Sequence, residues 1–384
     1  MSKEPEKADF SSAELAQRIE RVRGLMRERR LDALLVYDTG VPLTRRGGAT
    51  VRYLTNFFNL ASGNPSAAVI PSMGEPVLCI GPHFSGCQFT WAGLLSPFAV
   101  KGHVMGEMRP DWVRDIAEAL SESGVRGGRV GIDGMRYMPA ALLEGLRRKL
   151  EGAELADVTD LVYEAQIMRS KAEEPFIRKA AQISKMAMDA FLEAARPGVR
   201  QGEAVAIGEH AAFMAGAEEM VLFMGAGVPW LWGRKRTDLI FKEGDAVALE
   251  VNARYHGYFG QVCRTKLLGK VSAEKQQVRD AVRAAHDRMI SMVKPGITGQ
   301  ALFRAGVAEV RQRGFDYSGV RYGHGLGMTI AEGFDVAEED TDAIPEGAYM
   351  VIHPMLIRSE TGAASIHGDQ FLVTANGPEL LSSD

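Results

Sequence analysis

The 384-residue sequence is poor in cysteine, has no long apolar run and carries no excess of basic charge. Its three cysteines, Cys79, Cys87 and Cys263, are an odd count without metal-ligand spacing, so buried thiols in a reducing compartment are expected and a disulfide framework is not. No apolar stretch approaches the roughly 20 residues that span a bilayer, which argues against a membrane protein. The opening Met1-Ser-Lys-Glu-Pro-Glu-Lys7 lacks a signal-peptide core, and a cytoplasmic location is expected. A net charge of −4, from 45 Lys+Arg against 49 Asp+Glu, leaves no basic stripe to meet many phosphates. That balance excludes nucleic acid as the obvious partner and favours a small molecule. Internal repeats and low-complexity segments are also absent.

Hydrophobic periodicity is abundant, over a length that suits two domains. Ser11-Ser-Ala-Glu14 has the form of a capping box, and Leu15, Ile19, Val22 and Met26 then recur at helical spacing, predicting a helix that ends near Arg30. Asp32–Tyr37 reads as a strand, Ala67–Ile70 with Val77–Ile80 as a hairpin, Trp112–Leu120 as a helix, Arg129–Asp133 as a strand and Pro139–Leu150 as a helix with proline in its first turn. This alternation predicts an α/β domain over residues 1–163. Over residues 164–384 the pattern changes to helices (Ile167–Arg196, Gly202–Ala215, Ala273–Met292, Gly299–Arg313) around a central hairpin and strands near Met350–His353 and Gln370–Thr374. Helices on one side of a curved antiparallel sheet make an α+β domain.

The hairpin runs from Gly244 to Thr265, its strands meeting at Arg254-Tyr-His-Gly257. On the face that would ordinarily carry Val, Ile or Thr it has Glu250 and Gln261. A buried carboxylate costs several kcal/mol unless it is paired or used, so this face is a candidate pocket.

The run Gly-Asp-x-Val-x-Leu-x-x-x-Ala-x-Tyr-x-Gly-Tyr-x-x-x-x-x-Arg-Thr resembles the central hairpin of the pita-bread family, which includes methionine aminopeptidase, prolidase, aminopeptidase P and creatinase. Leu31-Asp-Ala-Leu-Leu-Val36 and Val51-Arg-Tyr-Leu-Thr-Asn-Phe57 resemble the N-terminal domain of the creatinase and prolidase branch. The resemblance therefore implies a creatinase-like α/β N-terminal domain followed by an α+β pita-bread domain, and a homodimer. Tyr322-Gly-His-Gly-Leu-Gly327 resembles the family's Gly-His-Gly-x-Gly, Tyr349-Met-Val-Ile-His-Pro354 its Glu-Pro segment, and Ser365-Ile-His-Gly-Asp-Gln-Phe-Leu-Val-Thr374 its last ligand strand. Where the peptidases carry Asp, Asp, His, Glu and Glu as metal ligands, this chain has Glu250, Gln261, His324, His353 and Gly368.

Both bridging positions, Gln261 and Gly368, are neutral, so no metal cofactor is expected from this set. The alternative is one divalent transition metal on Glu250, His324 and His353, since two imidazoles and a carboxylate can hold such an ion. The histidines that assist peptide cleavage in the family correspond to Gly233 and Ala331. The aromatic residue and the arginine that hold creatine's carboxylate in the N-terminal domain of creatinase correspond to Ser62 and Asn64, which argues against creatine as substrate.

The leading expectation is an enzyme that hydrolyses a carbon–nitrogen bond, or eliminates a leaving group, in a small polar metabolite. Its acid–base groups would be His324, His353, Glu250 and Glu332. Gln261, Trp230, Trp232, Arg264 and Tyr258 are candidates for binding substrate, with the indoles as a wall for an apolar or cationic group. His256 is expected to be exposed at the hairpin turn, and His367 to point away from a site that Gly368 faces. A catalytically silent binding module is the alternative, and an Xaa-Pro metallopeptidase the third reading.

Overall fold

The computed structural model describes residues 10–39, 49–57, 65–80, 99–102, 111–125, 127–233 and 238–382. Ser62, Asn64, Cys87 and the basic Arg234-Lys-Arg236 lie outside the described residues. The chain divides into two compact units, Met1–Gln166 and Ile167–Asp384. Among the described residues no helix is long and apolar enough to cross a membrane.

In the first unit α1 (Ser12–Glu28) starts where Ser11 Oγ accepts the Glu14 N–H at 3.2 Å, satisfying one of the orphan donors of the first turn. Arg30, with φ at +54°, leaves helical geometry, so the helix stops just short of the expected end. The elements that follow are β1 (Ala33–Asp38), α2 (Thr50–Thr55), β2 (Ser66–Pro71), β3 (Val77–Ile80), β4 (Ala99–Gly102), α3 (Trp112–Glu122), β5 (Arg129–Asp133), α4 (Ala140–Lys149), β6 (Glu154–Asp157) and α5 (Leu161–Gln166). The strands lie in the order β4-β3-β2-β1-β5-β6. β2 pairs antiparallel with β1 and β3, which is the expected hairpin, while β5 lies parallel to both β1 and β6. Pro139 stands at the cap position of α4 rather than inside its first turn.

The second unit contains α6 (Glu174–Ala194), α7 (Gln201–Met214), β7 (Glu219–Gly225), β8 (Ala246–Tyr255), β9 (Tyr258–Leu267), α8 (Ala273–Ile290), α9 (Gly299–Gln312), β10 (Gly323–Gly325), β11 (Glu332–Asp335), β12 (Tyr349–Ile352), β13 (Met355–Arg358), β14 (Ala363–Ile366), β15 (Asp369–Thr374) and β16 (Gly377–Leu380). The expectation that α6 begins at Ile167 is corrected here. Pro175 has no N–H to give and its ring would strike the preceding turn, so it fits only the first turn of a helix that starts at Glu174. Before it, the chain turns through Ser170, whose N–H donates to Glu173 Oε2 at 2.7 Å.

β7, β8 and β9 form one antiparallel sheet, and β11-β10-β12-β15-β16 another. α6 lies so close to β9 that a Cβ on Gly260 would strike the Ala180 carbonyl and come within 2.7 Å of Ser184 Oγ. Ile183, Ala187 and Phe191 of α6 share a buried cluster with Leu249, Val251 and Val262 of the hairpin. One face of that hairpin is therefore committed to helix packing, and its polar residues point the other way.

Candidate functional site

The hairpin turn is two residues long. His256 and Gly257 both take left-handed φ, +46° and +89°, as the tight turn matching strand twist requires. His256 is half-buried against Phe176, its ring centroid 5.1 Å away, rather than exposed. The turn sets a register in which Glu250 opposes Cys263 and Asn252 opposes Gln261. Directly opposed residues, and residues two apart on a strand, share a face, so these four side chains lie together.

Glu250 is buried, and Asn252 Nδ2 donates to its Oε1 at 3.1 Å. Burial pushes the Glu250 carboxyl up to about 7; the Asn252 amide and the charge of Arg321 pull the other way without offsetting it. Gln261 Oε1 and Asn252 Oδ1 are buried without a hydrogen-bond partner among the described residues. Gln261 Nε2 lies 3.9 Å from Cys263 Sγ.

His353 directly follows β12, and its N–H donates to the Tyr322 carbonyl at 2.8 Å. Its ring is buried, Nε2 has no hydrogen-bond partner among the described residues, and burial, reinforced by Arg321, pushes it down to about 3. The His324 ring lies edge-on to it, with centroids 5.0 Å apart. His324 Nδ1 sits 3.1 Å from the Gly325 carbonyl oxygen, so in the neutral ring Nδ1 carries the proton and Nε2 the lone pair.

The glycines around His324 admit close approach by protein rather than by ligand. A Cβ on Gly323 would strike the Val351 carbonyl, one on Gly325 the Glu332 carbonyl, and one on Gly327 the Glu332 carboxylate and Arg169. Gly368 is tied to Cys263 by two backbone hydrogen bonds, and a Cβ there would lie 2.6 Å from His353 Cβ and 3.1 Å from Cys263 Cβ. The space a longer residue would need at 368 is thus filled by His353 and Cys263.

Glu332 is buried in an ion network that the sequence did not reveal. Arg169 Nη2 donates to Glu332 Oε1 and, at 2.7 Å, to the Leu326 carbonyl; its Nη1 lies 3.6 Å from Glu173 Oε1. Tyr258 donates its hydroxyl to Glu173 at 2.9 Å. Arg264 donates to the Gly368 carbonyl and to Asp369 Oδ1, both at 2.8 Å, clamping β15 to β9. Trp230 is buried beside Ala248, Cys263 and Ile366, and Trp232 stacks on it at 5.7 Å. The structure therefore brings Glu250, Gln261, His324 and His353 toward Cys263 and Gly368, and engages Glu332, Tyr258 and Arg264 in fixed contacts nearby. Arg169, Glu173, Asn252 and Arg321 were missed; a basic residue in the segment before Pro175 was the available signal for Arg169.

The family model described as "Metallopeptidase family M24" matches residues 175–375, and "Creatinase/Prolidase N-terminal domain" matches residues 18–167. This chain belongs to metallopeptidase family M24. Relatives include an Xaa-Pro dipeptidase of Pyrococcus furiosus, 26% identical over 258 residues (66% of this chain, 73% of that protein). A creatinase of a Bacillus species is 24% identical over 307 residues, covering 71% of this chain and 72% of its own length. The crystal structure of the prolidase from Pyrococcus horikoshii OT3 superposes with a TM-score of 0.81 at 23% identity, covering 96% of this chain and 98% of that one. The M24 pita-bread fold, with its creatinase-like N-terminal domain, is thereby shown.

M24 enzymes usually depend on two metal ions, and the residues here fit such a pair poorly. Two adjacent divalent cations need bridging carboxylates to offset their repulsion. Gln261 is neutral, position 368 has no room for a side chain, and Glu250 is the one carboxylate of the five.

Proposed function

We propose that the face formed by Glu250, His324 and His353 is an acid–base centre working without a metal pair, which hydrolyses a carbon–nitrogen bond in a small polar metabolite or eliminates a leaving group from one. The observation that carries this reading is the Glu250 carboxyl, pushed up to about 7, on the same side of the hairpin as an imidazole whose Nε2 is buried and unpartnered. A group that titrates near neutral pH can both give and take a proton, typically for a rate gain of about 10² to 10⁴. In hydrolysis the ionised Glu250 carboxylate takes a proton from water as the oxygen attacks carbon and then delivers it to the departing nitrogen, while the neutral His353 Nε2 accepts a hydrogen bond that orients the water. Gln261 Oε1 and Asn252 Oδ1 accept from substrate N–H groups. His324 holds the His353 edge, Trp232 supplies wall, and Glu332, fixed by Arg169, positions the Gly-His-Gly turn. The branch resemblance supports a cytoplasmic homodimer.

A second reading is favoured by the relatives named Xaa-Pro dipeptidase: dipeptide cleavage with a single ion on Glu250, His324 and His353. The test is a panel of ureido, amidino and N-alkyl amino acids assayed for released amine after chelator treatment, beside Xaa-Pro dipeptides with added manganese. Turnover in the first set, lowered about 10² to 10⁴ by Glu250→Gln and His353→Gln, is expected. Turnover of dipeptides alone would establish the second reading, and binding without turnover in either set a silent binding module.

A further inference from the structure

The geometry points to a second, mononuclear site for a divalent transition-metal ion at His286, His367 and Asp369, between α8 and the strands it covers. It lies on the opposite face of the strand from the proposed acid–base centre and does not rest on it, because Gly368 faces His353 while its neighbours 367 and 369 alternate to the other side. All three side chains are buried or nearly so, and each offers a ligand atom within 4.8 Å of the others.

The spacing is that of ligands rather than of hydrogen bonds. His286 Nε2 is 3.4 Å and His367 Nε2 3.7 Å from the same oxygen, Asp369 Oδ2. Hydrogen bonds of this kind run at about 2.7–3.2 Å. Tetrahedral coordination with bonds of about 2.1 Å puts neighbouring ligand atoms roughly 3.4 Å apart. His286 Nε2 is also buried with no hydrogen-bond partner among the described residues.

The surroundings orient these atoms as a metal site's supporting groups do. Asp369 spends its other oxygen, Oδ1, on Arg264 at 2.8 Å and Ser382 Oγ at 3.2 Å, leaving Oδ2 to the imidazoles. His286 Nδ1 faces Asp287 at 3.5 Å, which turns Nε2 toward Asp369. A cavity of about 360 Å³, lined by His367, Ser365, Thr265, Arg279 and Arg283, reaches the cluster and offers both a route for the ion and room for a fourth ligand, a water or a small anion. The arginines that line it are paired: Arg279 lies 3.5 Å from Asp280, Arg283 3.6 Å from Asp287, and Arg264 2.8 Å from Asp369 Oδ1. Two imidazoles and a carboxylate select zinc, iron, cobalt or manganese over magnesium or calcium.

The full-length chain, stripped with chelator, is titrated with Co²⁺ and followed by its visible d–d bands. Expected is one Co²⁺ per chain, with binding weakened at least about 10-fold by His286→Gln and by His367→Gln and unchanged in the His324→Gln/His353→Gln double variant. No bound Co²⁺, binding indifferent to both cluster variants, or binding lost in the double variant would overturn the site. Should the cluster variants fail to fold, anomalous scattering at the cobalt edge from crystals of the unaltered chain decides it. A peak among His286, His367 and Asp369 supports the assignment, and its absence there rejects it.

Discussion

Glu250 and Glu332 are both nearly inaccessible, at 8% and 3% exposure, yet Glu332 has the Arg169 guanidinium against it whereas Glu250 receives the Asn252 amide. Burial penalises a carboxylate in proportion to what is missing around it. The Arg169 charge is held well above its ordinary value by Glu332 and Glu173, and this network also fixes Tyr258 and the chain around Gly327. Among the described residues Glu250 has no such counter-charge in contact, and the more distant Arg321 does not offset burial, so its carboxyl is pushed up to about 7. Similar burial thus yields a structural ion pair in one place and a carboxyl raised toward neutral pH in the other, and the contacting partner makes the difference.

The largest effect should come from taking the partner away. Arg169→Leu leaves Glu332 and Glu173 buried without their cation, and a loss of about 3–5 kcal/mol in urea unfolding at pH 7 is expected. A loss under about 1 kcal/mol would mean the pair is solvated and the contrast with Glu250 false.

Glu250→Gln should act in the opposite direction, and only at higher pH. Below the ordinary carboxyl value of 4.5 both folded and unfolded chains are protonated and the substitution is neutral. As pH rises from there to about 7 the unfolded chain releases its proton and the folded chain does not, so the native protein loses stability that the glutamine variant keeps. Unfolding at pH 8 should show the variant more stable by about 3 kcal/mol. His353 has the reverse slope: between about 3 and its ordinary 6.5 the unfolded chain takes up a proton first, so stability falls with falling pH. The two slopes oppose one another where they overlap, and Glu250→Gln should therefore sharpen the acid-side loss. Identical pH profiles for variant and native chain would show that Glu250 is not desolvated.

Tyr258→Phe makes the finest test of the paired side. It deletes one hydrogen bond to an ionised group, and a loss of about 1.5 kcal/mol is expected, measured by the same unfolding curves. An unchanged midpoint would detach Tyr258 from the Arg169 network.

Much of the framework was legible because it depends on neighbours in sequence. Ser11 caps the first helix through an oxygen three residues from the N–H it receives, and His256-Gly257 closes the hairpin by local dihedral preference. The Gly-His-Gly turn and the strand before His353 also show as short motifs. Where local reading failed, at the start of α6, periodicity ran past a proline whose helical place is the first turn. The Arg169–Glu332 pair and the His286, His367 and Asp369 cluster were not legible, since Arg169 and His286 meet their partners only when segments far apart in the chain pack.

From residue order alone come the two-domain M24 architecture, the hairpin that carries Glu250 and Gln261, and the motif resemblance that sets Glu250, Gln261, His324, His353 and Gly368 against the family's metal ligands. Only the folded chain decided that position 368 has no space for a side chain, that Glu332 is neutralised by Arg169, and that Glu250 is left to hold its proton. The division is physical: propensity and register act between residues close along the chain, whereas charge compensation and free space depend on atoms a few ångströms away whatever their place in the sequence.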